Sequence, residues 1–287
     1  MNSRKKILFL SSIALLLTSS LATAGGSTLL QFKYKKGGVS SYTMDMNQQM
    51  QMTSSMAPGT TQKIGTNMKA DFSQKVKSVK NGKATLEISF QKLDAKAQVG
   101  TNPMPIPGLD GFTKVKIQMT ADSRGQMSDV KVLKTDSLSP QAKQMAAELQ
   151  KSWAQNSLVF PAKPIAPGAT WSVDRELPTD IGGGSLVTKV SSKYKFIGME
   201  KHMGKTAAKI STDVKVSLHG TAMQMGVPMK TDMDGSGKGT TWFLIDEGKM
   251  LHTDADIVVK GSVKGQQSGQ SFSTDMNIDM KMDIKLK

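Results

Sequence analysis

From Phe272 to Lys287 the chain alternates apolar and polar residues almost without a break. Phe272, Met276, Ile278, Met280, Met282, Ile284 and Leu286 share one parity; Asp275, Asp279, Lys281, Asp283, Lys285 and Lys287 share the other, and Thr274 interrupts the apolar set. Successive side chains of a strand point to opposite faces, so a period of two over this length specifies a long β-strand with one apolar and one charged face. The same pattern, again written in methionine, appears near the start, where Tyr42, Met44, Met46, Met50 and Met52 share a parity. A chain with this texture at both ends is expected to build an amphipathic sheet with a methionine-rich apolar side.

Strand-like segments recur between turn signals. Leu29 to Tyr34 reads as a first strand and Ser41 to Thr53 as the first methionine strand. Met68 to Val79 and Ala84 to Phe90 flank Asn81-Gly82, the strongest short-range hairpin signal because both turn residues need positive φ. Asp122-Ser123-Arg124-Gly125 predicts a second tight turn. Ser139-Pro140 reads as an N-cap with proline at the first helical position, and Ala142, Met145, Ala146, Leu149 and Trp153 recur at helical spacing. One amphipathic helix is therefore expected over about 140–155, packed on a sheet. A stiff proline-rich connector, Phe160 to Gly168, follows. Beyond it, strands are expected at Trp171–Leu177, Leu186–Phe196, Thr206–Leu218, Ala222–Lys230, Thr240–Ile245 and Lys249–Lys260, and Gly261 to Gly269 reads as a turn. On Ala222–Lys230 the pattern places Met223, Met225, Val227 and Met229 on one face.

The fold class is thus mainly all-β: antiparallel, strongly twisted or half-barrel sheet, with a single helix. The expected organisation is a leader over 1–24, an N-terminal β half over 25–137, the helix and connector over 138–167, and a C-terminal β half over 168–287. The halves read as weak copies of one plan, since hairpin and acidic turn recur in the same order at Asn81-Gly82 and Asp122–Gly125, then near His202–Gly204 and Asp246–Gly248.

Arg4, Lys5 and Lys6 precede the apolar stretch Ile7 to Leu21, and Ala22-Thr23-Ala24 has the small-x-small form of a cleavage site. Export to a periplasmic or secreted location is the expectation, with a soluble mature chain from Gly25. Loss of the three basic residues lowers the formal charge from +15 to +12. The chain has no cysteine, so neither disulfides nor cysteine lipidation enter. The positive balance fits an anionic envelope surface as partner, or simply a solvated lysine face that blocks edge pairing. Nucleic acid is disfavoured by export and by 5% aromatic content without basic-aromatic interleaving. A transmembrane barrel is disfavoured by the scarcity of girdle aromatics and by the helix and proline connector.

No catalytic, cofactor or metal motif is present. The histidines, His202, His219 and His252, form no His-Glu-x-x-His pattern, and His202 is expected in an exposed turn. Gly235-Ser236-Gly237-Lys238-Gly239-Thr240 imitates a phosphate loop but lacks its first glycine and the hydroxyl residue after lysine. The 21 methionines admit three readings. They fill a core; or they line an adaptable apolar cavity for a hydrophobic ligand or lipid; or they bind Cu(I), for which Met250-Leu251-His252 and His202-Met203 are the suited segments. Regular period-two placement argues against the metal. The residues expected to line a ligand are Met44, Met46, Met50, Met52, Met223, Met225, Met276, Met280 and Met282.

Leu30-Gln31-Phe32-Lys33-Tyr34 with Gly38 and Tyr42, the Asp122 to Gly125 turn, and above all Phe160-Pro161, Pro164 and Pro167-Gly168-Ala169-Thr170-Trp171 resemble a bacterial family of exported proteins of unknown function. The resemblance covers nearly the whole mature chain and implies an exported β-rich protein with no assigned activity. Many relatives carry a lipobox cysteine, which this chain lacks. The expected function is non-enzymatic: hydrophobic-ligand or lipid binding on the methionine-lined face, with a structural or envelope-interaction role as the alternative.

Overall fold

In the computed structural model the described residues are 26–287, apart from 105, 107–110, 137, 141, 144–145, 148–149, 151–157, 182–183, 225–226 and 268–269. The leader expected over 1–24 lies outside them. The strands are β1 (Val39–Ser54), β2 (Thr61–Lys80), β3 (Lys83–Val99), β4 (Asn102–Met104), β5 (Lys116–Asp122), β6 (Met127–Leu133), β7 (Thr170–Ile181), β8 (Gly184–His202), β9 (Lys205–Gln224), β10 (Val227–Leu244), β11 (Lys249–Gln267) and β12 (Gln270–Leu286). All form one antiparallel sheet in the order β6-β5-β3-β2-β1-β12-β11-β10-β9-β8-β7, with β4 paired beside β3. Strands β6 and β7 are its edges, so among the described residues the sheet does not close into a barrel.

Each half is a meander, and β12 joins them by pairing with β1 on one side and β11 on the other. The first and last strands are therefore neighbours at the centre of the sheet, which is why both carry the strongest alternation. The expected hairpins form: Asn81 and Gly82 adopt φ of 50° and 73°, and Met203 and Gly204 adopt 48° and 76°. These left-handed pairs match the right-handed twist of the flanking strands.

Two pieces cover part of the apolar face. Ser139 Oγ accepts the Ala142 N–H at 3.2 Å, the expected N-cap, and the described residues between Pro140 and Gln150 are helical. Ala142 and Ala146 are fully buried against Tyr42, Phe72, Leu86, Ile88 and Ile117, forming the core of the N-terminal half. Met145, Leu149 and Trp153 of the expected stripe fall outside the described residues. On the C-terminal half Leu30, Phe160, Phe196, Ile210 and Phe243 make a second core, with Phe32 and Trp171 packed against it. The Phe160 ring meets Phe243 edge-on at 4.7 Å and Phe32 at 5.3 Å.

Three sequence expectations change. Leu29 to Tyr34 is not a sheet strand: beyond one bridge, Thr28 to Ile165, it runs as an extended cover, with Leu30 and Phe32 turned into the core. Its alternation reflects two different sides, and no strand pairs with it. Residues 222–230 are not one strand, because β9 ends at Gln224 and β10 begins at Val227. Finally, the glycine-rich stretches 235–239 and 261–265 are strand, not loop. Gly235, Gly237 and Gly239 of β10 oppose Val259, Ile257 and Ala255, and Gly261 opposes Met233. A Cβ at Gly235 would stand 2.6 Å from the Val258 carbonyl oxygen and 2.7 Å from Val259 Cγ2, so these glycines permit a close cross-strand approach.

Candidate functional site: an uncovered methionine face

The strands are long. Twenty residues in β2 span roughly 65 Å. The covering helix and connector reach only one end of that length, and the contrast is visible along β1. Under the cover Tyr42 is 5% exposed, and its neighbours Phe72 and Phe90 are 8% exposed. Farther along, Met44, Met46, Met50 and Met52 are only half-buried, as are Met276, Ile278, Met280 and Met282 on β12.

Register places most of the predicted residues together. Met46 pairs with Met282 on one side and Met68 on the other; Met52 pairs with Met276; Met280 pairs with Gln48 and Ile257; Met50 pairs with Ile278 and Ile64. Cross-strand partners share a face, so Met44, Met46, Met50, Met52, Met276, Met280 and Met282 form one continuous apolar surface. The polar residues of the same strands fill the opposite face in charge ladders such as Lys69–Asp45 and Lys287–Asp71. Met223 does not join the surface by register: it pairs with Pro228, one residue out of step with Ala222 and Met229, because the chain reverses between them. Met225 lies outside the described residues.

A hollow of about 960 Å³ lies over β7–β11, and its lining includes no methionine. It takes Arg175, Val190, Val216 and Gly235 from the apolar rows, and Lys189, Lys215, Asp234 and Lys260 from the polar ones.

A polar network on the far side of the sheet was not legible in the sequence. His202, expected in an exposed turn, ends β8 half-buried and stacks on Trp242 with ring centroids 3.8 Å apart. His202 Nε2 and His252 Nδ1 are 2.8 Å apart, and His252 Nε2 is 3.0 Å from Asp283 Oδ2. Trp242 Nε1 donates to Glu200 Oε1 at 2.6 Å, and Lys209 Nζ to Glu200 Oε2 at 3.3 Å. Burial, then the neighbouring His252, hold His202 below its ordinary histidine value. The Trp242 hydrogen bond holds the Glu200 carboxyl low. For Asp283, burial acts upward, but hydrogen bonds from His252 and Lys285 outweigh it and bring the carboxyl below the usual range. Five strands, β8 to β12, contribute to this network, so it is visible only once register is known. Of the groups expected to suit Cu(I), the two imidazoles meet, whereas Met250 Sδ accepts from Thr253 Oγ1 at 3.0 Å and packs with the N-terminal core. Half-buried His219 lies 2.7 Å from exposed Asp232 and 3.4 Å from exposed Asp234 within the polar ladders, and Asp234 also faces Lys260.

Two turns pin the covering segments. Asp122 Oδ1 accepts the Arg124 and Gln126 N–H groups, both at 2.9 Å, and Gly125 adopts φ of 90°. Arg124 is then bonded twice to Phe160: its carbonyl accepts the Phe160 N–H, and its Nε donates to the Phe160 carbonyl, each at 2.8 Å. The Phe32 N–H donates to the Ser123 carbonyl, and the Lys33 N–H to that of Gly248 in the corresponding turn of the second half. Trp171 Nε1 donates to the Val159 carbonyl at 2.8 Å. The Asp122–Gly125 turn and the Phe160 to Trp171 stretch are thus the latch of the cover.

Residues 137–250, under half of the chain, match a family of unknown function, DUF6263. No curated protein matches. Among solved structures the fold is similar to lipovitellin, from a structure concerned with lipid–protein interactions in that protein. The likeness has 11% identity and a TM-score of 0.50, and covers 89% of this chain and 25% of that one. This chain therefore spans a quarter of the lipovitellin chain, and the likeness is one of fold. Pseudomonas aeruginosa OpdK, solved with vanillate, is matched at 6% identity over 85% of this chain and 98% of that one, with a TM-score of 0.22 that carries no argument.

Proposed function

We propose that this protein is an exported, non-enzymatic binder of a hydrophobic ligand, a lipid, held on the methionine-lined face between β2 and β11. The observation that carries the reading is the abrupt change along β1 and β12 from buried aromatics under the cover to half-buried methionines beyond it. A continuous apolar sheet face of this size is a binding surface more often than a solvated one, and methionine adapts its shape to varied hydrocarbon. The lipovitellin likeness supports an open antiparallel sheet as a workable frame for lipid. The envelope-contact alternative draws less support, because lysines on the polar face pair with carboxylates of other strands.

Native mass spectrometry of the mature protein, recovered from cells without detergent, tests this reading. The expected spectrum carries adducts of lipid mass that organic extraction removes and added phospholipid restores. A bare protein that takes up neither fatty acid nor phospholipid would refute it.

A further inference from the structure

The lysines are unevenly placed. The stretches 31–42 and 73–86 contain seven lysines and no acidic residue. Register brings the two stretches to one corner of the sheet. Val39 pairs with Lys75, the Gly37 N–H donates to the Val76 carbonyl at 2.8 Å, and Lys80 pairs directly with Lys83 across the Asn81-Gly82 hairpin. Lys33 and Lys77 have partners: Lys33 Nζ donates to the Asp246 carbonyl at 3.2 Å, and Lys77 lies 3.7 Å from Glu87. Lys35, Lys36, Lys75, Lys80 and Lys83 are exposed and enter no ion pair among the described residues. The flanking carboxylates are already engaged. Asp71 meets Lys287 at 3.1 Å, Glu87 also meets Lys116 at 3.0 Å, and Asp122, which faces Lys83 in register, accepts two N–H groups of its own turn. Lys69 and Lys189 on the polar face, by contrast, each have a carboxylate partner.

Like charges directly opposite each other across strands are destabilising, so this corner carries a cost that an external anion relieves. Two apolar side chains stand among the lysines: Val39 is 53% and Val79 41% exposed. A soluble polyanion is met by ammonium groups alone. Exposed hydrocarbon set among lysines suits a surface whose anionic head groups overlie hydrocarbon. We propose that this corner docks on a bilayer containing anionic phospholipid, with the five lysines against the phosphates and Val39 and Val79 in the interfacial layer. Lys35 and Lys36 follow closely on Phe32 of the cover, so docking brings the cover beside the bilayer. The inference adds to the lipid reading a place where lipid is exchanged, and it stands independently of that reading. The bland account of the lysines is a solvated hairpin tip, and the test separates the two.

Co-sedimentation of the protein isolated from cells with vesicles of phosphatidylcholine alone, and of phosphatidylcholine mixed with phosphatidylglycerol, tests the proposal. The wild type is expected to bind the mixed vesicles, to ignore the neutral ones, and to release as salt is raised. Each lysine at an anionic surface contributes about fivefold, so Lys80→Gln with Lys83→Gln should weaken binding about 25-fold. Lys230→Gln with Lys264→Gln is the charge-matched control: these exposed lysines face each other across β10 and β11 at the opposite end of the sheet, and their loss should change binding by no more than about twofold. Val39→Ser with Val79→Ser should weaken vesicle binding and leave binding of inorganic polyphosphate unchanged. Circular dichroism confirms the fold of each variant. Wild-type protein that does not distinguish the two vesicles overturns the inference, as do equal losses in the two lysine pairs. Vesicle binding that the valine changes leave intact, alongside tight binding of polyphosphate, assigns the corner to a soluble polyanion and overturns it equally.

Discussion

Gly125→Ala should destabilise the protein far more than Gly82→Ala, although both glycines have left-handed backbones. At Gly82, φ is 73° and nothing lies within 4 Å of where a Cβ would stand. Alanine there costs the conformational term alone, about 1–2 kcal/mol. At Gly125, φ is 90°, and a Cβ would lie 2.3 Å from the Leu158 carbonyl oxygen and 2.5 Å from the Phe32 ring. The first of these is backbone and cannot swing aside, so the connector must lift. Lifting it weakens the two Arg124–Phe160 hydrogen bonds, worth about 1 kcal/mol each. The expected loss at Gly125 is therefore about 3–4 kcal/mol. Urea titration of the chain, followed by tryptophan fluorescence, reads the difference, with midpoints separating while the slope stays constant. Equal losses for the two variants would refute the argument that this turn is a latch.

Phe160→Ala removes a fully buried ring at the junction of connector, amino-terminal segment and sheet. It should cost about 3–5 kcal/mol in the same titration. His202 should make stability depend on pH. Its folded value lies below the ordinary 6.5, so the unfolded chain binds more protons there and stability falls as pH drops through 6.5 and below. In His202→Gln, thermal midpoints between about pH 7 and 5 should flatten relative to wild type. The Asp283 and Glu87 carboxyls, held low by their partners, act in a separate window below their ordinary 3.8 and 4.5. Their contributions disappear as pH falls through the depressed folded values, and the steep loss in that range should survive in His202→Gln.

What the sequence revealed follows what each signal encodes. Alternation reports that a segment has two unlike sides, and it located β1 and β12 because their faces differ completely. The Asn81-Gly82 hairpin and the Ser139 cap were legible because one local backbone requirement determines each. Leu29 to Tyr34 has two unlike sides as well, yet covers the sheet instead of joining it, since alternation says nothing about hydrogen-bond partners. The unbroken course of β10 was hidden because glycine ordinarily punctuates chains. Gly235 to Gly239 are explained by the β11 residues opposite them, which no local window contains. The stack of His202, Trp242 and His252 depends on register across several strands, so it had no local signature.

The most direct test of the account is residue-resolved methionine oxidation by dilute hydrogen peroxide, with and without saturating dioleoylphosphatidylglycerol. Met56, Met199 and Met203, which are 66%, 47% and 52% exposed and lie off the proposed surface, serve as internal references. Lipid should slow oxidation of Met46, Met50, Met52, Met276, Met280 and Met282 together and leave the references unchanged. Protection spread evenly over all methionines, or none on β1 and β12, would contradict it.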